Sequence, residues 1–436
     1  MPKPIQKLKG MRDILPADQK YFRYVCQTVG DLLEKSGFQR IDTPILEPTK
    51  LFERTIGEST AIVEKEMYTF NIKGEESVTL RPEGTASVAR AYIEHGMHTW
   101  PQPVQLFYIG KMFRHEKPQA GRYREFTQIG FEIFGDSHPL TDATLISLIW
   151  QIYEKFGLKD LVLEINSIGC SSCRPKMRKA LIEYYKDKLP KLCEDCKRRF
   201  KKNPFRLLDC KISKCRRIAE KAPHLIDLLC EECRAHFTQV LEALDELGVP
   251  YDLNPKLVRG LDYYNRTTFE IIPAKKINKQ QAALGAGGRY DGLIELLGGP
   301  PTPAIGFALG VDRVVGELIE KKIEVPEKRK KVQVFVAALG ELAKKKSLKI
   351  IKELRQLNFS VMSALGKESI KAQLKLADKL EAEYTLIIGE KEARANTVLI
   401  RDMLSGVQES VEEEDLIKRL NELIEEKKQL IKENNE

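Results

Sequence analysis

Eight of the nine cysteines of this 436-residue chain fall between residues 170 and 233. They lie in a stretch, 169–250, that is rich in lysine and arginine. Its longer runs, Leu225–Leu229 and Phe237–Leu247, repeat their apolar residues at helical spacing. On either side the pattern differs: residues 1–168 mix amphipathic helix with strand-like runs, and Leu257–Ile272 and Thr302–Ile319 return to that style. This arrangement implies a core interrupted by a helical insertion, with the first part of the core over 1–168 and the second over 251–323.

Within the first part, Asp18–Ser36 predicts a helix whose apolar face is Tyr21, Val25, Val29, Leu32 and Leu33, stopped by Gly37. Val104–Ile109 and Phe126–Phe134 read as strands. A charged linker with one proline covers 324–331. From 332 to 436 the pattern alternates: strands Val332–Ala337, Phe359–Ser363, Tyr384–Ile388 and Thr397–Arg401, with helices Glu341–Leu357, Ser369–Leu380 and Glu413 onward. Such alternation predicts a small α/β domain with a largely parallel sheet, closed by a lysine- and glutamate-rich end.

Composition narrows the class. Hydrophobic residues at 42% and charged residues at 31% describe a soluble globular protein. Met1–Pro16 carries Lys3, Lys7, Lys9, Arg12 and Asp13 without a continuous apolar run, unlike a signal peptide. No later run is apolar enough to span a bilayer, so a cytoplasmic protein without membrane partners is expected. The formal charge of +9 suits a nucleic-acid partner, since lysine and arginine gain affinity by releasing counterions from phosphates.

The cysteines come as C-x-x-C pairs, Cys170/Cys173, Cys193/Cys196 and Cys230/Cys233, with Cys210/Cys215 spaced more widely. Two thiolates at this spacing reach one tetrahedral zinc, and two pairs complete a site. In a cytoplasmic chain such pairs point to metal or reduced thiols before disulfides. Structural zinc and plain thiols both stay open.

Three segments carry candidate chemistry. In Leu257-Val258-Arg259-Gly260-Leu261-Asp262-Tyr263-Tyr264 an arginine able to fork onto a phosphate or carboxylate stands beside two phenols able to close a pocket. Phe107–Glu116 and Gly121–Gln128 form a hairpin with Arg114 at the end of one strand and Glu125, Phe126 and Gln128 on the returning one, suited to clasping a nucleotide. Ala304–Val314 places small residues ahead of Arg313, at the start of a helix where a phosphate is well received.

Together the last two segments resemble the second and third signature motifs of class II aminoacyl-tRNA synthetases. Arg40–Pro48 resembles the first, which builds the dimer interface in that class. The octapeptide and Thr79-Leu80-Arg81-Pro82-Glu83-Gly84-Thr85 are similar to segments of the bacterial-type histidyl-tRNA synthetase family, and the likeness covers nearly the whole chain. The resemblance implies a class II antiparallel-sheet catalytic core with a helical insertion and a C-terminal α/β anticodon-binding domain, in a cytoplasmic homodimer. It implies ATP-dependent attachment of L-histidine to the 3′ end of tRNA(His) through a histidyl-adenylate, with Mg2+ beside the triphosphate.

By the same resemblance Arg259 and Arg114 are the catalytic side chains, gripping the α-phosphate and the reacting carboxylate. Arg313 holds the γ-phosphate end, Glu116 the adenine amino group, and Phe126 stacks on the base. Glu83, Gly84, Thr85 and Gln128 surround the histidine amino and carboxylate groups. Glu132 and Tyr264 meet the imidazole, with Tyr263 and Tyr290 lining the pocket. Gly285–Asp291 brings backbone close to the ligand, although without the family it reads only as a turn. Lys197-Arg198-Arg199 and Arg216-Arg217 are candidates for the acceptor arm. The sequence departs from the family at Asp312, where glutamate is commoner, which bears on how Arg313 is held. Two other readings compete: a synthetase-like regulatory subunit that senses histidine, and a basic RNA-binding or scaffold protein. The regulatory relatives lack the tail domain and lose catalytic positions, whereas this chain keeps Arg114, Arg259 and Arg313; a scaffold leaves the paired substrate motifs unexplained.

Overall fold

The ten-residue strands Val104–Phe113 and Glu125–Phe134 pair antiparallel along their whole length, Val104 opposite Phe134 and Phe113 opposite Glu125. They are the fifth and sixth of eleven strands described in the first of two compact units, residues 1–326 and 327–436, of this computed structural model. The structure describes residues 3–57, 60–74, 76–117, 121–276, 283–326 and 332–433. The expected linker lies outside the described residues from 327 onward.

The other strands of this unit are β1 (Gln39–Arg40), β2 (Leu46–Pro48), β3 (Tyr68–Asn71), β4 (Ser77–Leu80), β7 (Leu161–Ser167), β8 (Asp252–Leu253), β9 (Asn265–Pro273), β10 (Gly285–Arg289) and β11 (Ala304–Gly310), the long pair being β5 and β6. Eight of them form one sheet in the order β1-β5-β6-β11-β10-β9-β7-β8. All its pairings are antiparallel except those of the short edge strands β1 and β8. The strands β2-β4-β3 make a smaller antiparallel sheet.

Side chains alternate across a strand, so each strand divides its residues between two faces. On one face Phe107, Phe131, Phe269, Phe307, Leu163 and Ile165 join the main core with Val25, Val29 and Leu33 of helix Pro16–Lys35 and Ile146 and Ile149 of helix Pro139–Lys155. Phe269 and Phe307 stack with ring centroids 5.8 Å apart. The residues between them face the other way, and there the sheet carries Gln128, Glu132, Gly306, Ala308, Ala286, Glu270 and Glu164. The large–small alternation of Ala304-Ile305-Gly306-Phe307-Ala308-Leu309-Gly310 therefore gives β11 a thick core face and a bare opposite face.

The insertion is helical, as expected. It contains helices Arg174–Lys186, Glu194–Lys202, Ser213–Ala219 and Glu231–Glu246, with short single turns between them. The last packs its Phe237, Val240 and Leu244 into the main core, so the insertion ends as part of the framework of the first unit.

In the second unit β12 (Val334–Ala338), β13 (Val361–Ser363), β14 (Tyr384–Ile388), β15 (Thr397–Asp402) and β16 (Gln408–Glu412) form a sheet in the order β13-β12-β14-β15-β16. It is mixed rather than largely parallel: β12 runs parallel to β13 and β14, but β15 is antiparallel to β14 and β16 to β15. The pattern missed β16 because this edge strand, Gln-Glu-Ser-Val-Glu, is polar on its exposed face and nearly so on the other. It also missed the helix Glu390–Ala395, too short to show a period. Val334, Val336, Ile350, Leu354, Tyr384 and Leu386 form this unit's own core. No helix among the described residues is long and apolar enough to cross a membrane.

Candidate active site

The bare face of the sheet floors a cavity of about 620 Å³. Its walls come from the hairpin β5–β6, the loop 257–264, the start of helix Val311–Glu320, and the insertion residues Asp209, Cys210, Lys211 and Arg216. Gly310, Ala308 and Ala286 leave the floor open because they have little or no side chain above the sheet.

One end is strongly basic. Arg114 donates through Nε to the Pro82 carbonyl at 2.8 Å, and its guanidinium lies over the Phe126 ring, 5.4 Å from the centroid. Glu116 is held by Arg122 at 2.5 Å, with Arg114 further off at 3.9 Å. Arg313 donates to the Ala283 carbonyl at 2.5 Å. Burial pulls the Arg313 pKa down, and the nearby charges of Arg122 and Arg114 pull it further. Like charges held together in a concave site are a binding field for a polyanion. Arg259 closes a second side: it pairs with Glu270 of β9 and lies over the Tyr264 ring, 5.1 Å from its centroid. Its Nε is buried without a partner.

The other end is buried, polar and aromatic. Glu83 accepts the backbone N–H groups of Thr85 at 2.7 Å and Ala86 at 2.9 Å, so its carboxylate caps the helix Thr85–Glu94. Thr85 donates its hydroxyl to Glu132 at 2.7 Å, and the Tyr290 hydroxyl donates to the other Glu132 oxygen. Glu132 is 1% exposed, and burial pushes its carboxyl up to about 8 against the pull of the Tyr290 and Thr85 hydrogen bonds. Tyr263, Tyr264 and Tyr290 pack with centroids 4.7–6.3 Å apart. Burial raises all three phenols, which stay protonated donors. Gln128 lines the cavity with its buried Oε1 lacking a protein partner.

The structure therefore brings Glu83, Thr85, Arg114, Glu116, Phe126, Gln128, Arg259, Tyr263, Tyr264 and Arg313 to one cavity. Glu132, Tyr290 and Gly84 are not on its surface. Glu132 and Tyr290 lie behind it, linked through Thr85, and Gly84 serves packing: a Cβ there would meet the Tyr108 ring at 2.2 Å. Gly306 does the same for the carboxylate, since a Cβ would come within 1.7 Å of Glu132 Oε2.

Two expectations are corrected. Gly285–Asp291 is not a turn: Gly285–Arg289 is a central strand, whose Gly285 and Ala286 line the cavity while Gly285 and Gly287 leave room on the core face for the Phe307 and Phe269 rings. Asp312 does not hold Arg313; it pairs with Arg12 at 2.6 Å and accepts the Thr127 N–H at 2.7 Å. Lys197 and Arg198 pair with Glu194 and Asp195 of their own helix, while Arg216 reaches the cavity wall. Sequence reasoning gave no separate role to Arg122 or Glu270. The signal for Glu270 was a lone carboxylate in an apolar strand, Thr-Phe-Glu-Ile-Ile.

The cysteines converge as two groups of four: Cys170, Cys173, Cys230 and Cys233, and Cys193, Cys196, Cys210 and Cys215. Within each, all sulfurs lie within 4.8 Å of one another. The donor set, four soft sulfurs around one point, fits a zinc ion in each.

Residues 10–314 match the family model described as histidyl-tRNA synthetase, and residues 333–423 match an anticodon binding domain. The chain belongs to the histidyl-tRNA synthetase family. The curated histidine–tRNA ligases of Desulfitobacterium hafniense and Dehalococcoides mccartyi are each 46% identical to it, over 93% and 94% of this chain and 95% and 98% of theirs. The crystal structure of apo S. aureus histidyl-tRNA synthetase superposes with a TM-score of 0.78 at 38% identity, covering 96% of this chain and 100% of that one. As in that family, an antiparallel-rich class II core precedes a separate α/β anticodon-binding domain.

Proposed function

We propose that this histidine–tRNA ligase charges tRNA(His) with histidine in the cavity on the bare face of its large sheet, in two steps. The histidine carboxylate attacks the α-phosphorus of ATP, giving histidyl-adenylate and pyrophosphate. A hydroxyl of the terminal tRNA ribose then attacks the acyl carbon and AMP leaves. The carboxylate is already an anion at neutral pH, so the first step needs no strong base. Its difficulty is the meeting of two anions, and fixed positive charge is the remedy.

The observation that carries this reading is that Arg114, Arg259 and Arg313 line one cavity whose opposite end is a buried array of hydroxyls and carboxyls. Arg259 and Arg114 act on the α-phosphate and the reacting carboxylate from two sides. Arg313 takes the γ-phosphate, Phe126 stacks on adenine, and Glu116, already oriented by Arg122, accepts its amino protons. Magnesium enters with the triphosphate and neutralises its charge. Glu83, Thr85 and Gln128 receive the amino and carboxylate groups of histidine. Tyr264 and Glu132 select the imidazole, Glu132 from behind the Thr85 hydroxyl, with Tyr263 lining the pocket and Tyr290 holding Glu132 from behind. The cysteine groups hold structural zinc. The second unit reads the anticodon, and Arg216 at the cavity wall meets the acceptor end.

The family's dimer belongs in the same proposal. Leu46, Pro48 and Phe70 are exposed on one face of the β2-β4-β3 sheet, with Ile45 beside them, and a second copy would cover this apolar face. Histidine-dependent ATP–pyrophosphate exchange tests the function: exchange with histidine and not with other amino acids is expected, and its absence would exclude the reading.

A further inference from the structure

We infer that the insertion holds two separate metal ions, and that each fixes one of two clamps on the loop 257–264. The ion sites stand on geometry alone. Their effect on the reaction rests on the function proposed above, which gives that loop Arg259 and Tyr264.

The topology is nested. Cys170 and Cys173 join Cys230 and Cys233 across some sixty residues, and the second group, Cys193, Cys196, Cys210 and Cys215, closes entirely inside that span. The distances select a single ion in each. Zinc–sulfur bonds of about 2.3 Å in a tetrahedron put sulfurs about 3.8 Å apart. Cys170 and Cys173 are 3.7 Å apart, Cys170 and Cys230 3.9 Å, and Cys193 and Cys210 3.9 Å. Backbone N–H groups also aim at the sulfurs: Cys230 at Cys173 Sγ (3.1 Å), Cys193 at Cys215 Sγ (3.3 Å) and Cys196 at Cys193 Sγ (3.4 Å). Donors placed around a thiolate satisfy its negative charge and fix its direction.

Leu207 and Leu208 anchor the inner region to a core cluster, with Phe200 and Phe205 against it, but its two helices bury little. In helix Glu194–Lys202 the one buried residue is Cys196, and in helix Ser213–Ala219 only Cys215 and Ala219 are buried. A segment this short with so small a core needs a staple.

Each group is joined to the loop. Arg174 follows Cys173 directly, opens the helix Arg174–Lys186, and donates to the Tyr264 carbonyl. Cys196 and Cys210 bracket the turn Pro204–Leu207, next to which Asn203 donates to Asp262 Oδ1 at 3.0 Å while Arg206 donates to the Arg259 carbonyl at 3.4 Å. The loop itself has no regular secondary structure. Its hold on the rest of the core includes Asp262 N–H to the Ile56 carbonyl at 3.1 Å. The two metal-anchored clamps thus set the height of Arg259 and Tyr264 over the cavity. A displacement of about 1 Å at such a group is enough to cost up to a hundredfold in rate.

The test begins with metal content. Protein purified without chelator is expected to carry two zinc ions per chain, and cobalt substitution should saturate at two equivalents with tetrahedral thiolate spectra. Cys230→Ser and Cys215→Ser should each lower the count to one. Each should also slow histidine-dependent pyrophosphate exchange, chiefly in kcat. The linkage is read from double variants. Arg206→Met, which leaves two ions bound, should add little to the defect of Cys215→Ser but multiply that of Cys230→Ser; Arg174→Met should show the converse. Fewer than two ions in the intact protein, after cobalt titration as well, would overturn the sites whether or not any variant folds. Multiplicative defects in every pair would overturn the clamps. Metal counts and spectra do not depend on the exchange assay, so a catalytically silent protein with two ions would defeat the function and leave the sites standing.

Discussion

Arg259 is where the local chemistry is most concentrated. Its guanidinium pairs with Glu270, lies over Tyr264 and keeps one nitrogen unpartnered, so it is anchored and still has a donor to give. Arg259→His should lower kcat for pyrophosphate exchange by about a hundred- to a thousandfold, while histidine affinity measured by calorimetry stays within about threefold of wild type, since Glu83, Thr85, Gln128 and Tyr264 still hold the amino acid. Unchanged exchange would remove Arg259 from the reaction. Glu132→Gln should act oppositely, raising the histidine KM by about tenfold for one lost hydrogen bond at a buried site, with a smaller change in kcat. The same residue makes stability depend on pH. Its carboxyl ionises near 4.5 in the unfolded chain and at about 8 when folded, so between these values the folded state holds one more proton. Stability should therefore fall by about 1.4 kcal/mol per pH unit from this group as pH rises through that window, and level off above it. In urea melts across pH 5–9 the stability of wild type should fall relative to that of Glu132→Gln as pH rises if the slope belongs to Glu132. Parallel curves would assign it elsewhere. Arg259 and Tyr264 drew attention by residue type, an arginine beside two phenols, but it was the resemblance of their octapeptide to the family that gave each an expected role. Asp262 was not legible, because its work is to receive Asn203, a partner nearly sixty positions away.

At the scale of elements, the legible feature was period, and what escaped was whatever lacked one. The long strands β5 and β6 and the first helix follow their apolar spacing closely. The glycine-rich strand β10 does not, because a run of glycines shows no alternation even when it forms the middle of a sheet. Its neighbour β11 alternates small with large, and the small positions carry a consequence. A methyl group at Gly306 would lie 1.7 Å from Glu132 Oε2 and 2.9 Å from the Tyr290 hydroxyl. Gly306→Ala should cost about 1–3 kcal/mol of stability, the usual penalty for overpacking, and should weaken histidine binding by displacing Glu132. Gly316→Ala is the control, since a Cβ there meets nothing within 4 Å. Equal stability and affinity in the two variants would show that the crowding at Gly306 is relieved elsewhere.

The whole molecule divides its labour between two units that each have a core. Every side chain lining the cavity belongs to residues 83–313, and the main core of that unit ends at Val325. The second unit's cores draw on residues from 332 onward. The change of sequence style near 324 made this division legible, whereas the cysteine pairing could not be read until the fold brought Cys170 to Cys230. A chain ending at Pro326 should therefore fold and keep histidine-dependent pyrophosphate exchange within a few-fold of the full protein, because adenylate formation uses only the cavity. The same fragment should lose most of its rate of tRNA(His) charging at limiting tRNA, because the family match over 333–423 is to an anticodon-binding domain. Adding tRNA to saturation should restore part of that rate, since the loss is one of affinity and not of acyl transfer. Exchange that disappears with the second unit would mean that residues beyond 326 complete the cavity. Charging that is unimpaired at every tRNA concentration would mean that recognition rests on the acceptor end alone.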